Sequence, residues 1–168
     1  DTMASLRAFK QAGLINGSII PESGTHQIGR EWQPDEMSDC YQRSFAKTSG
    51  LIDYWQFANE PNLKRPWQLE ADGREWAVYQ RGFYNALRRY APETRALLGA
   101  FNNVPLEYIR QVAEENLHGF ADNVMGVHLY CTEPNNEDNY PKMLEYRKFV
   151  DRLYPGWEVR DTESGSVH

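Results

Sequence analysis

The sequence predicts an α/β fold in which short strands alternate with longer amphipathic helices. Apolar or β-branched runs recur roughly every 30 to 45 residues along the 168-residue chain. Amphipathic segments with helical spacing separate these runs, and glycine or proline ends many of the segments. This repeat is typical of a parallel sheet covered by helices, and one domain over residues 1–168 fits the length.

The helices are predicted from apolar residues three or four positions apart, which fall on one helix face. The first helix has Met3, Leu6 and Phe9 near this spacing and stops at Gly13. The third, which precedes Pro92, is the strongest, with aromatic and leucine side chains along one face. The predicted helices are residues 2–12, 35–48, 74–90, 106–120 and 140–154.

The strands are predicted from short apolar runs rich in β-branched or aromatic residues. The first run is β-branched and ends at Pro21, the second is aromatic, and the third and fourth are apolar. The fifth carries Arg160 and Asp161, a charged pair that is unusual in a buried parallel strand. The predicted strands are residues 15–20, 51–58, 96–101, 123–131 and 157–162.

Composition excludes several classes of protein. With 40% hydrophobic and 13% aromatic residues the chain is not disordered. A net charge of −6 argues against a nucleic-acid partner, and neither a long apolar run nor a Lys/Arg cluster indicates a membrane partner. A neutral or mildly polar partner is expected instead.

The compartment is less well determined by the sequence. Cys40 and Cys131 are too few for a disulfide framework, and they form either one bridge or two buried thiols. The chain opens at Asp1 rather than Met, so we expect a removed leader or a longer protein. A secreted or periplasmic location is favoured over a cytoplasmic one.

Two parallel α/β architectures compete for this pattern, an open doubly wound sheet and a (β/α)8 or TIM barrel. The open sheet often carries a glycine-rich phosphate loop after an early strand, and the sequence has no such motif. The barrel places its chemistry at the carboxyl ends of several strands. Because the unusual polar residues of this chain lie at strand ends, the barrel is favoured.

Glutamates follow three of the predicted strands. They are Glu22, Glu60 and Glu163, and the fourth strand ends with His128 and Tyr130. Two carboxylates facing one crevice are the minimal equipment for splitting a glycosidic bond. One must be protonated to assist the leaving oxygen, and the other must be ionised to attack the sugar carbon or to activate water. Glu22 is the alternative to Glu163 as the second of the two carboxylates.

The sequence around Glu60 resembles a known motif. Asn59-Glu60-Pro61, after an aromatic strand, is similar to the acid/base motif at barrel strand 4 of the retaining (β/α)8 glycoside hydrolases of clan A. The segment from His128 to Tyr130 resembles the strand 6 pattern of that clan, and Thr162-Glu163 resembles its strand 7 nucleophile motif. The spacing of three strands between the two glutamates also agrees. The five visible strands would then be strands 3 to 7.

The resemblance implies a role for each matched residue. Glu60 is the general acid/base, and Glu163 is the nucleophile that forms a glycosyl-enzyme intermediate. Asn59 binds the sugar 2-hydroxyl, and Tyr130 orients Glu163 through a hydrogen bond. His128 lines the wall of the binding site.

Two further residues are expected to bind the sugar. Trp67 lies in a loop after a strand end, where its ring can stack on a pyranose, and Trp32 is a second, weaker candidate. Glu22 is expected to bind substrate at the end of strand 3. Two carboxylates suffice for this reaction, so no cofactor and no metal are expected.

The length departs from a complete barrel, which needs about 250 residues. We therefore expect an incomplete barrel, too short to be active alone, that further chain segments or self-association would complete. The function predicted is retaining hydrolysis of O-glycosidic bonds in a polysaccharide, oligosaccharide or glycoside. The alternatives are a non-catalytic carbohydrate-binding barrel and an open α/β binding module.

Overall fold

The computed structural model describes residues 2–20, 42–63, 72–131 and 139–166. Helices and strands alternate along the chain in the predicted order, which the structure confirms. The strands are β1 (Gly17–Ile20), β2 (Tyr54–Phe57), β3 (Arg95–Asn102), β4 (Val124–Cys131) and β5 (Glu158–Ser166). The helices are α1 (Thr2–Gln11), α2 (described over 42–48), α3 (Gly73–Tyr90), α4 (Leu106–Glu114) and α5 (Asn139–Leu153).

The five strands form one parallel sheet in the order β1-β2-β3-β4-β5. A doubly wound sheet reverses its strand order at a switch point, and the described strands show no reversal. Right-handed crossovers between successive strands then place the helices on one face of the sheet. The described part of the chain is therefore a segment of barrel wall, which supports the barrel over the open α/β module.

An aromatic cluster joins the outer face of β2 to the helices. The Phe57 ring stacks on Phe83 of α3 at 5.5 Å and on Trp76 at 6.1 Å. The Trp55 ring packs edge-on against Phe45 of α2 at 5.3 Å. Each such side chain contributes about 1.5 to 3 kcal/mol when fully buried. Because Trp55 and Phe57 are fixed outward, the alternate residues of β2 face inward.

A polar clamp ties α1, β1 and β2 together at the amino end of the sheet. The buried Asn16 side chain donates hydrogen bonds to the carbonyls of Leu6 (3.2 Å) and Leu51 (2.8 Å). Asp53 accepts from the Asn16 N–H at 2.8 Å and pairs with Lys10. Burial raises the pKa of Asp53, but the Lys10 ammonium and the Asn16 N–H outweigh it, so the pKa is lowered overall.

Two predicted boundaries differ from the structure by more than three residues. The helix predicted over 106–120 ends at Glu114, because Asn116 adopts a left-handed φ of 55° and a 3₁₀ turn over Leu117–Gly119 follows. The strand predicted to end at Thr162 continues to Ser166, because it keeps pairing with β4.

Two other features bear on the sequence predictions. Cys131 lies in β4, whereas Cys40 lies outside the described residues. No helix of the described part is long and apolar enough to cross a membrane.

Candidate active site

The inner face of the sheet borders a cavity of about 430 Å³. Its lining includes Gln56 and Asn59 from β2 and the turn after it, Leu97 from β3, His128 from β4 and Glu163 from β5. The cavity therefore receives side chains from successive strands of one parallel sheet, as in barrel enzymes.

Glu60 lies in the turn after β2 and has an unusual backbone conformation. Its φ is 49°, and that of Ala58 is 61°, in the left-handed region that non-glycine residues rarely adopt. The Glu60 N–H donates to the carbonyl of Ala100 in β3 at 3.0 Å, which holds the turn against the neighbouring strand. The residue is only 9% exposed. Strained residues of this kind cluster at functional sites.

Asn102, at the end of β3, contacts the Glu60 carboxyl directly. Its Nδ2 donates to Glu60 Oε1 at 2.8 Å, and its own Oδ1 accepts from Asn103 Nδ2 at 2.7 Å. Sequence reasoning missed this residue. Asn102 directly follows the apolar run predicted over 96–101, so it meets the same criterion as Glu60 and Glu163, namely a polar residue at the end of a predicted strand.

A bulge in β3 turns Asn102 toward the cavity. Leu98 and Phe101 lie three positions apart, whereas their partners in β4 lie two apart, so β3 contains one extra residue. Gly99 accommodates the bulge with a φ of 78°. The extra residue reverses the alternation, which places Phe101 in the core and Asn102 inward.

A second bulge turns Glu163 inward. Val127 pairs with Asp161, but the next residue of β4, His128, pairs with Glu163, so Thr162 is the extra residue. Regular alternation would have sent Thr162 inward and Glu163 to the helix side. Thr162 also lines the cavity, and its Oγ1 donates to the Val127 carbonyl at 3.4 Å. Glu163 is thus a residue of β5 and not of the loop after it, and the bulge turns its side chain toward the cavity.

His128 lies between the two predicted catalytic carboxylates. Its Nδ1 is 3.2 Å from Glu60 Oε1 and 3.6 Å from Glu163 Oε2. One side-chain nitrogen or oxygen from each of the three residues lies within 4.8 Å of those of the other two. The ring is 1% exposed. A proton on Nδ1 would make it a donor toward both carboxylates.

The distance between the two carboxylates bears on the chemistry that they can perform. Retaining glycosidases have carboxyl groups about 5 to 5.5 Å apart, and inverting enzymes have them about 6.5 to 9.5 Å apart. One carboxylate oxygen of Glu60 and one of Glu163 lie within 4.8 Å of each other, so the two groups are close enough to act on the same bond. The same nitrogen and two oxygens are also a donor set that a divalent cation such as Zn²⁺ accepts.

The other predicted site residues are placed less fully. Asn59 lines the cavity and is half-buried. Tyr130 lies two residues beyond His128 in β4, and within the described residues no hydrogen bond joins its hydroxyl to Glu163. Glu22 and Trp67, with Trp32, lie outside the described residues, so their roles stay predictions.

No protein-family model and no curated protein sequence matches the chain. Solved structures do. A GH39 β-xylosidase from Caulobacter crescentus matches with a TM-score of 0.61 at 16% identity, over 81% of this chain and 31% of that one. A glucosidase from Croceicoccus marinus matches with a TM-score of 0.64 at 12% identity, over 80% of this chain and 30% of that one.

A third structure, the β-glucuronidase of Bacteroides uniformis, matches with a TM-score of 0.60 at 14% identity. The match covers 95% of this chain and 19% of that one. The chain thus spans a third or less of the length of these three glycosidases. At such identities the likeness shows the fold alone, which is part of an α/β barrel.

The bulge in β3 generates a prediction about Gly99. A Cβ added there would lie 2.2 Å from the Phe101 ring, which is fully buried between Trp76 and Tyr108. Gly99→Ala is therefore expected to lower the free energy of unfolding by about 1 to 3 kcal/mol more than Gly156→Ala does. Gly156 has a similar φ of 80° but nothing within 4 Å, so it reports the backbone strain alone. Urea denaturation measures both, and equal losses would contradict the packing argument.

Proposed function

We propose that the chain is the central part of a retaining glycoside hydrolase, with Glu163 as nucleophile and Glu60 as acid and then base. The observation that carries the proposal is the pair of Glu60 and Glu163 carboxylate oxygens within 4.8 Å of each other, beside a cavity that His128 and Glu163 line. The likeness in fold to a xylosidase, a glucosidase and a glucuronidase supports the same reaction class. The substrate is a polysaccharide, oligosaccharide or glycoside.

The reaction proceeds in two displacements. A carboxylate oxygen of Glu163, whose side chain is 48% exposed, attacks the anomeric carbon. The bond to the leaving oxygen breaks as Glu60 donates its proton to that oxygen, and a glycosyl ester of Glu163 forms. Glu60, now ionised, takes a proton from water as the water oxygen attacks the same carbon. The ester bond breaks, the sugar leaves, and both carboxyl groups return to their initial states.

The neighbouring side chains position these groups. A proton on His128 Nδ1 would be donated toward both carboxylates, because its distances to them are 3.2 and 3.6 Å. Asn59 lines the cavity beside Glu60 and binds the sugar 2-hydroxyl. The role of Tyr130 in orienting Glu163 rests on the sequence resemblance alone. Glu22 and Trp67 add a polar contact and a stacking surface.

The barrel wall is completed by further segments of the same protein or by a second copy. β1 and β5 are the outer strands of the described sheet, and an eight-stranded wall needs three more. Leu14 and Ile15, which lead into β1, are 54% and 66% exposed and offer an apolar surface for such a segment. Activity is therefore assayed in the intact protein.

Charge around the cavity favours neutral sugars over sugar acids. Glu163 lines it, and the cation of the described lining, Arg160, bonds to Glu158 at 3.0 Å and stacks on Tyr54. The Arg160 hydrogen bond lowers the pKa of Glu158, so that pair stays charged near neutral pH. A uronate carboxylate would meet like charge there.

A panel of aryl glycosides tests this preference. The intact protein is expected to hydrolyse an aryl β-xyloside or β-glucoside with a kcat/KM at least about tenfold above that for the β-glucuronide, a difference of about 1.4 kcal/mol. A glucuronide that is hydrolysed fastest would contradict the charge argument. Sugar binding without hydrolysis of any member would favour the non-catalytic carbohydrate-binding barrel.

Removing the nucleophile tests the role of Glu163. Glu163→Gln is expected to lower kcat by at least about three orders of magnitude while leaving the fold intact, because an amide is a far weaker nucleophile than a carboxylate. The matched control is Glu145→Gln, which makes the same change on the exposed surface of α5. Activity that persists in Glu163→Gln would move the nucleophile to Glu22 or another carboxylate.

The acid role of Glu60 is tested with two leaving groups. Glu60→Ala is expected to slow a substrate with a poor leaving group by about 100- to 10,000-fold, because such a group needs a proton as it departs. An activated aryl leaving group needs little assistance and is expected to lose much less in the glycosylation step. Equal losses on the two substrates would argue against general acid catalysis by Glu60.

A further inference from the structure

We propose that Asn102 is a positioning residue that selects which oxygen of Glu60 carries the catalytic proton. The inference rests on the proposed function and concerns a residue to which the sequence analysis assigns no role. It starts from the hydrogen bond of 2.8 Å that Asn102 Nδ2 donates to Glu60 Oε1.

The orientation of the Asn102 amide is fixed by its neighbours. Asn103 Nδ2 donates to Asn102 Oδ1 at 2.7 Å, and the N–H of Asn103 donates to the His128 carbonyl at 2.8 Å. If the Asn102 amide were flipped, its NH₂ group would face the NH₂ group of Asn103, and its oxygen would face Glu60 Oε1. The NH₂ group of Asn102 therefore faces Glu60.

The Asn102 backbone is held on the other side by the turn that carries Glu60. Asn62 Oδ1 accepts from the Asn102 N–H at 2.8 Å, and Asn62 Nδ2 donates to the Asn102 carbonyl at 3.1 Å. These bonds fix the end of β3 to the turn two residues beyond Glu60. Asn102 thus cannot shift relative to Glu60 without breaking several contacts.

Asn102 and His128 both approach the same oxygen, Glu60 Oε1, at 2.8 and 3.2 Å. An oxygen that accepts a hydrogen bond from the Asn102 NH₂ group, and a second one from His128 when Nδ1 carries the ring proton, is held as an acceptor. The acid proton then belongs on Oε2, which is the oxygen that delivers it to the leaving group. Asn102 acts through Glu60 and itself transfers no proton.

The titratable groups near Glu60 include His128 from β4 and Glu163 from β5. Asn102 contacts the same carboxyl and carries no charge. Replacing it with aspartate keeps the size of the side chain, removes the donor and adds a negative charge beside Glu60. That charge would favour the protonated form of Glu60 at higher pH.

Kinetics of Asn102 variants of the intact protein test the inference. Asn102→Ala is expected to lower kcat by about 10- to 100-fold on a poor leaving group, with KM little changed and a smaller loss on an activated one. Asn102→Asp is expected to move the alkaline limb of the kcat/KM profile to higher pH. The matched controls are Asn85→Ala and Asn85→Asp on the exposed surface of α3, which should leave both quantities unchanged.

Side-chain amide NMR separates failure of the inference from failure of the proposed function. Glu60→Ala is expected to move the Asn102 NH₂ resonances upfield, because their acceptor is lost. If the wild-type protein hydrolyses glycosides but Asn102→Ala keeps its rate and Glu60→Ala leaves these resonances in place, the inference is overturned and the function stands. If the resonances move but no glycoside is hydrolysed, the contact exists, but its assignment to catalysis falls with the proposed function.

Folding is checked by circular dichroism for each variant. If Asn102→Ala does not fold, Asn102→Asp, which preserves the side-chain volume, carries the kinetic test. An alkaline limb of Asn102→Asp that coincides with the wild-type limb would then overturn the inference.

Discussion

Alternation of side chains along a strand decides which residues reach the cavity, and one extra residue in β3 and one in β5 set that alternation. Without them, Asn102 and Glu163 would point toward the helices, into a layer filled by aromatic side chains. The bulges let one strand place apolar residues in the outer core along its first part and polar residues inward at its carboxyl end. The two bulges therefore determine both which side chains face the cavity and which face the helices.

The turn after β2 is the second element on which the site depends. Left-handed φ angles at Ala58 and Glu60 cost about 1 to 3 kcal/mol each. The hydrogen bond from Glu60 to Ala100 and the two between Asn62 and Asn102 contribute about 1 kcal/mol each. The cost of the two left-handed residues and the contribution of the three hydrogen bonds are of the same order, so the turn needs these contacts with the neighbouring strand to keep its conformation. The turn is thereby held to the strand that also presents Asn102.

The sequence predicts the order of the elements and the position of Glu60, because both follow from local signals. Hydrophobic periodicity separates helices from strands, and Asn59-Glu60-Pro61 directly follows an aromatic run. The face on which Glu163 lies does not follow locally, because a bulge is defined by pairing with a neighbouring strand that is distant in sequence. The role of Asn102 depends in the same way on a contact with Glu60, 42 residues away. His128 is predicted to line the wall of the site. Its position between the carboxylates depends on contacts among residues of β2, β4 and β5, which are distant in sequence.

The closeness of Glu60 and Glu163 also measures the curvature of the sheet. The two residues belong to strands that are three steps apart, and neighbouring strands are spaced by about 4.8 Å, so a flat sheet would separate their backbones by about 14 Å. Oxygens within 4.8 Å of each other require both side chains to reach inward across a strongly curved wall. Helices packed on the outer face, such as α3 against β2, hold that curvature in the described part. The bend that begins to close a barrel therefore also brings the two carboxylates close to one another.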